Sequence, residues 1–366
     1  MTIVFSNYDS PGNPWYDGGG ARAIHAVARR LAVRHEVRVV TGAFPGGSDR
    51  RVDGVQYMRV GSRRAGPKLG QVLFQFALPR AVRRLAFDVW VESLTPPFST
   101  ACLQRFTRRP VVALTQVLAG RGMSAKYHLP FAAVERWGLR SYRRAIATSA
   151  HLEEELRTIN PRLQTCVIPN GVEGELVRQP VERDERHLLF MGRIDIAQKG
   201  VDLLLEALAV TPEIALPLVI AGAGVPRDEA RVRQRVRELG LEARVRLVGR
   251  ADGAARLRLF REACLLALPS RFEASPLVIA EAFCFGLPVV HFDIPELRGY
   301  PAEACCKVRA FEAPAYGGAL RRLLEDAPAR AAMGRAAKAA AAAYDWDHLA
   351  RRYEEFLLAV RGGQAG

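Results

Sequence analysis

The chain has six cysteines, and none stands in a CxxC pair or at Cys/His ligand spacing. Its seven histidines are scattered, with no HExxH arrangement. A disulfide framework and a zinc site are therefore not expected, and a thiol in an apolar stretch reads as a small hydrophobe. No apolar run approaches the ~20 residues that a membrane-spanning helix requires. The opening "MTIVFSNYDSPG" shows no basic leader ahead of a long apolar core, so a cytoplasmic protein is expected. Lysine is the scarcest charge: five Lys stand against 48 Arg, which together make the 53 basic residues. Each lysine is informative for that reason.

What is present in quantity is positive charge. A net charge of +15 over 366 residues favours anionic partners: phosphorylated substrates, acidic lipid surfaces or nucleic acid. Apolar residues at 49% and charged residues at 25% suit a globular chain with room for two domains.

Short β-like runs alternate with helical stretches. The first series comprises "TIVFS" (2–6), "EVRVVTG" (36–42), "VQYMRV" (55–60), "FDVWVES" (87–93), "PVVALT" (110–115), "RAIATS" (144–149) and "QTCVIP" (164–169). After a turn at Asn170-Gly171, the second comprises "HLLFMG" (187–192), "LPLVIAG" (216–222), "RVRLVG" (244–249), "CLLALP" (264–269) and "LPVVHFD" (287–293). Apolar strands separated by helices argue for parallel sheets covered on both faces. The expected fold is α/β, with two doubly wound Rossmann-like domains, residues 1–172 and 173–344, facing across a cleft. In such folds ligands lie outside the carboxyl ends of the strands, so chemistry is sought in the loops that follow them.

Four of those loops stand out. After the first strand, Gly18-Gly19-Gly20 opens a helix whose backbone N–H groups a phosphate could approach. In "GRIDIAQKG" (192–200), Arg193 and Lys199 flank a short turn ahead of a helix start, a suitable site for a diphosphate. "GAG" (222–224) reads as a tight strand-to-helix turn. In "RFEASPLVIAE" (271–281), Ser275 is the expected N-cap, with Pro276 in the first turn. Glu273 precedes that helix and Glu281 lies inside it. A carboxylate on an apolar helix needs partners. Sugar and ribose hydroxyls would serve, and so would an internal arginine. Asp345-Trp346-Asp347 has a DxD form but lies beyond both strand series, where helix capping is the expected role.

Taken together, "DGGG" (17–20), "VIPNGV" (167–172), "GRIDIAQKG", "LVIAGAG" (218–224), "VRLVGR" (245–250) and "FEASPLVIAEAFCFGLPVV" (272–290) resemble the retaining glycosyltransferases of family 4, with GT-B architecture. They occur in the family's order along nearly the whole chain. The resemblance implies a metal-independent transfer of a sugar from a nucleotide-diphosphate sugar, with UDP or GDP as the nucleotide and no other cofactor. By that resemblance Arg193 and Lys199 hold the diphosphate, and Glu273 contacts the sugar beside the reacting carbon. Glu281 accepts from the ribose. Backbone around Ser275, Pro276, Leu277, Val278, Gly18 and Gly19 cradles phosphate oxygens, and Val248, Gly249 and Arg250 face the base. A final helix (345–366) packs back on the first domain. The sequence departs from the pattern at Thr115-Gln116, where many relatives carry a histidine, and at Ala274, where they carry glycine.

The acceptor is expected in the first domain, as a carbohydrate, a glycolipid or a natural product. Tyr8, Trp15, Tyr16 and Tyr127 are candidates for stacking, and Arg121 and Lys126 for meeting an anionic group. Packing accounts for the aromatics equally. The stretch 63–87 mixes a basic flank with an apolar centre. It suits either a covered helix or a peripheral contact with the inner face of a membrane. A sugar-nucleotide epimerase of the same architecture and a basic nucleic-acid-binding protein are the competing readings. The spread of charge along the chain, without a recognised binding module, speaks against nucleic acid.

Overall fold

The structure is a computed structural model and describes residues 1–15, 19–96 and 98–363. The chain divides into two units, Met1–Asn170 with Trp346–Gly366, and Gly171–Asp345. Val172 belongs to the second unit, where its N–H donates to the Tyr344 carbonyl at 2.8 Å.

The first unit is built on strands β1 (Thr2–Ser6), β2 (Glu36–Gly42), β3 (Arg50–Val52), β4 (Val55–Val60), β5 (Val89–Ser93), β6 (Val111–Thr115), β7 (Arg144–Ala147) and β8 (Gln164–Val167). Among the described residues they form one sheet in the order β3-β4-β2-β1-β5-β6-β7-β8. Its pairs are parallel except β3 with β4, an antiparallel edge. The tripeptide of β3, Arg-Arg-Val, has no apolar run to mark it as a strand. The sheet's core includes Ile3, Phe5, Val89, Val91 and Val112, and the last helix, Trp346–Arg361, completes it with Trp346, Leu349, Tyr353, Leu357 and Val360. Glu354 of that helix is buried and accepts hydrogen bonds from Arg34 (2.5 Å) and His35 (2.7 Å).

The second unit contains β9 (His187–Met191), β10 (Leu218–Ala221), β11 (Val245–Gly249), β12 (Ala263–Leu268), β13 (Val289–Phe292) and β14 (Cys305–Val308). All pairs are parallel, in the order β11-β10-β9-β12-β13-β14. Every residue of β9, β12 and β13 is buried, which explains why they read as unbroken apolar runs. β14 is an edge strand carrying Lys307, too short and polar to be read in advance.

This order has a consequence for ligands. From β9 the chain winds outward through β10 and β11, then returns to start again at β12 on the other side. The switch point therefore lies between β9 and β12. There the helices that follow the two strands diverge and leave a crevice at the strands' carboxyl ends.

Candidate active site

Loops after β9 and β12 meet at this switch point. After β9 the backbone passes Arg193 and enters a single helical turn, Ile196–Lys199, whose start is capped by Asp195 accepting from the Gln198 N–H at 3.0 Å. Gly200 ends that turn at φ +63°, and a Cβ there would stand 2.0 Å from the Pro269 carbonyl oxygen. Only glycine lets the two loops approach this closely. They are then laced together. The Arg271 N–H donates to the Gln198 carbonyl (2.8 Å), and its guanidinium makes two 2.8 Å bonds to Asp202. The Arg271–Asp202 clamp went unread in the sequence because its partners stand 69 positions apart.

The clamp brings Lys199 against Glu273. The ammonium donates to both carboxylate oxygens, at 2.6 and 2.9 Å, and Ser270 donates to Oε1 at 2.6 Å. Both side chains are largely buried, Glu273 almost completely. Two of the ammonium's three protons are engaged, so one remains to donate. Three of the carboxylate's roughly four acceptor positions are filled, leaving about one. Arg193 differs: its guanidinium is 64% exposed and touches Gln198 (2.7 Å) and Asp195 (3.4 Å).

The second carboxylate has taken the arginine that the sequence left as an alternative. Glu281, on helix Leu277–Cys284, is gripped by Arg256 through Nε (3.1 Å) and Nη2 (2.6 Å). That leaves about two of its acceptor positions open. Arg256 lies on helix Gly253–Arg261 and was not singled out in the sequence. The far end of Glu281's helix is tied by Lys338, whose ammonium donates to the Cys284, Val177 and Gln179 carbonyls at 2.9, 2.8 and 2.7 Å. A cation at a helix C-terminus complements the carbonyl dipoles there.

The expected N-cap is displaced by one residue. Pro276 occupies that position, without a side-chain capping bond, and helix Leu277–Cys284 begins after it. Ser275 lies beside half-buried Tyr300 instead. No serine hydroxyl therefore caps the first turn, and the Leu277 and Val278 N–H groups have no carbonyl partner within their helix. The "GAG" turn is structural as read: a Cβ on Gly222 would fall 1.8 Å from the Gly192 carbonyl oxygen, where the loops after β9 and β10 cross. Val248 and Gly249 end β11, Gly249 at φ +69°, and exposed Arg250 pairs with Asp252 at 2.8 Å.

In the first unit, Gly19 opens helix Gly19–Leu31 after β1, whereas Gly18 and Tyr16 lie outside the described residues. Tyr8 is not free to stack on a sugar. It is buried, with its hydroxyl on the Pro67 carbonyl at 3.2 Å and its ring edge-on to Phe74. Thr115 is buried at the end of β6, and Gln116 exchanges amide hydrogen bonds with Asn170 at 2.9 and 3.4 Å. Among the described residues no cluster of three or more His, Cys, Asp or Glu side chains is placed to hold a metal ion.

Comparison with known proteins identifies both halves. Residues 17–176 match glycosyltransferase family 4, and residues 174–340 match the glycosyl transferases group 1. The chain's two halves are a family 4 and a group 1 glycosyltransferase domain. A glycogen synthase of Mycobacterium tuberculosis is 29% identical to it over 249 residues, covering 63% of this chain and 58% of that protein. The chain thus spans less than two thirds of the length of that curated relative. Among solved structures, a sucrose-phosphate synthase from Thermosynechococcus elongatus superposes with TM-score 0.80 at 22% identity, covering 99% of this chain and 100% of the other. HepE of Anabaena, solved with UDP, gives 0.75 at 20%, covering 98% and 100%. Both share its GT-B fold.

Proposed function

We propose that the protein is a glycosyltransferase that moves a sugar from a nucleotide-diphosphate sugar to an acceptor hydroxyl, with retention at the anomeric carbon and without a metal ion. The observation that carries the reading is the meeting of Lys199 and Glu273 at the switch point of the second unit. It places a cation with a spare proton beside a carboxylate with a spare acceptor position, in the crevice where such sheets bind ligands.

Each residue then has a task its surroundings allow. Arg193, exposed and weakly held, swings onto the diphosphate, and Lys199 gives it its third proton. The two cations meet the negative charge that develops on the leaving phosphate as the glycosidic bond breaks. Glu273, held by Lys199 and Ser270, accepts from a sugar hydroxyl beside the reacting carbon. Glu281, with two acceptor positions left by Arg256, accepts from the two ribose hydroxyls. Free N–H groups at Leu277 and Val278 face phosphate oxygens. Val248, Gly249 and Arg250 lie against the base. UDP is the first nucleotide to try, since HepE binds it, and GDP the second.

Calorimetry with UDP, GDP, ADP and dTDP in the presence of EDTA tests this. One nucleotide should bind, and Lys199→Ala should weaken it by about 1.5–3 kcal/mol, the range for a charge-assisted hydrogen bond. If no nucleotide binds without metal, or the substitution changes nothing, the reading fails. With a donor in hand, proton NMR of the first-formed glycoside reports retention or inversion.

A further inference from the structure

Helix Pro67–Arg84 in the first unit has two apolar faces where one suffices to hold it to the sheet. Gly70, Phe74, Leu78 and Val82 form the buried face. On the opposite side Leu69, Val72, Leu73 and Phe76 repeat at i, i+3, i+4 and i+7, with Leu69 57% and Phe76 69% exposed. A stripe of this kind facing water is unexplained by the fold.

The stripe continues through other segments as a chain of aromatic rings. Phe76 meets Phe98, in the loop after β5, with centroids 6.3 Å apart; Phe98 meets Phe131 at 5.8 Å; Phe131 meets Tyr127 at 6.2 Å. The last two belong to the neighbouring helices Gly120–Tyr127 and Phe131–Leu139, which also expose Leu129 in their connection and Trp137. This line is held in place from beneath. Buried Glu135 accepts hydrogen bonds from the Ser99 hydroxyl and the Gly120 N–H, which fixes the Phe98 loop to the helix pair.

Along this stretch of sequence positive charge predominates, although Glu154 and Glu155 of the neighbouring helix Ala150–Ile159 line the same hollow as Arg121. Between Gly54 and Val134 the sequence has twelve Lys and Arg against two acids, Asp88 and Glu92, and Glu92 is buried. Lys126 lies 5.4 Å over the Tyr127 ring, and the Arg105 guanidinium 4.1 Å over Trp137. Cations bracketing exposed Tyr, Trp, Phe and Leu match a surface with an apolar interior beneath a layer of negative headgroups. Arg63, Arg64 and Lys68 at the start of the helix and Lys126 beside Tyr127 complement headgroup phosphates better than they would a protein surface of ordinary mixed charge.

We propose that this face of the first unit docks the protein peripherally on an anionic phospholipid bilayer. Leu69, Phe76 and Leu129 enter the headgroup boundary, and Arg63, Arg64, Lys68, Arg121 and Lys126 meet the phosphates. The proposal goes beyond sugar transfer and stands without it, since it uses no residue of the nucleotide crevice.

Co-sedimentation of the full chain with vesicles tests it, using phosphatidylglycerol vesicles and phosphatidylcholine vesicles at ~0.1 M salt. Binding to phosphatidylglycerol should exceed binding to phosphatidylcholine by roughly tenfold or more, and should weaken as salt rises. The double variant Phe76→Ser, Leu129→Ser should lose roughly tenfold in partitioning. Both side chains are exposed, so its melting temperature should match the wild type and show that it folds. Arg63→Gln with Arg64→Gln should flatten the salt dependence. The proposal is overturned if the wild type stays in solution with phosphatidylglycerol vesicles, or if the folded double variant sediments as well as the wild type. Sedimentation velocity showing a wild-type dimer that the double variant cannot form, with no vesicle binding, would assign the face to a second copy of the chain instead.

Discussion

At the scale of single residues, the two carboxylates of the E-x7-E segment are held by different cations, and the difference is testable. Among the described residues Lys199 is the sole cation bonded to nearly buried Glu273, so its removal leaves a carboxylate without a counter-charge. Lys199→Met should therefore lower stability by about 3 kcal/mol as well as nucleotide affinity. Arg193→Ala should lower affinity alone, because that guanidinium is exposed and its partners remain solvated. Thermal unfolding with and without UDP separates the two effects. Arg256→Met should leave Glu281 free to turn away from the ribose, weakening nucleotide binding by roughly 1–2 kcal/mol. Calorimetry comparing UDP with 2′-deoxy-UDP checks this, since the substitution should cost the deoxy ligand less. Glu281 itself was legible from sequence as a carboxylate that needed a partner. Which partner it takes was not, because Arg256 stands 25 positions away in a chain with 48 arginines.

Loops and their anchors make up the next scale. In the first unit the segment after β5 is strapped by Glu92, which is fully buried and accepts from the Tyr142 hydroxyl (2.6 Å) and the Ala101 N–H (2.6 Å). Burial pushes its carboxyl up to about 6, against the hydrogen bonds that hold it down. A carboxyl raised on folding contributes its full stability below the unfolded pKa, near 4.5, and loses it as pH climbs through about 6. The loss across that window is about 2 kcal/mol. Melting temperature followed from pH 4 to 7 should show the first unit's transition falling over this range, and Glu92→Gln should remove that component of the slope. In the second unit, Gly200→Ala forces the two site loops apart at the Pro269 carbonyl. It should abolish nucleotide binding even where the unit still folds, a separation that circular dichroism and calorimetry together report.

For the whole molecule, chain order and spatial grouping differ at one decisive point: the last helix belongs to the first unit. Five of its side chains, Trp346, Leu349, Tyr353, Leu357 and Val360, sit in that unit's core. At about 1.5–3 kcal/mol each, their burial rivals the roughly 5–15 kcal/mol net stability of a whole domain. A chain ending at Asp345 should lose the first unit's calorimetric transition while keeping nucleotide binding by the second. Retention of both transitions would show that the helix contributes far less than its burial suggests. The net charge of +15 acts at this scale too, and the acid-poor span 54–134, which carries most of the exposed ring line, supplies twelve of its basic residues.

By itself, the sequence determined the alternating α/β plan, because strands buried on both faces must read as apolar runs and the helices between them must be amphipathic. It also determined the chemical types at the site, through scarce Lys199, the paired glutamates and the glycine turns. Tertiary structure alone decided how these pair. The switch point between β9 and β12 exists only in the sheet order, and it joins Lys199 to Glu273 across 74 positions. Edge strands β3 and β14, the displaced cap at Pro276 and the burial of Tyr8 were likewise decided by neighbours distant in sequence. Local pattern carries the free energy of burial along one element, whereas the partner of a buried charge is set by packing between elements, which no short stretch encodes.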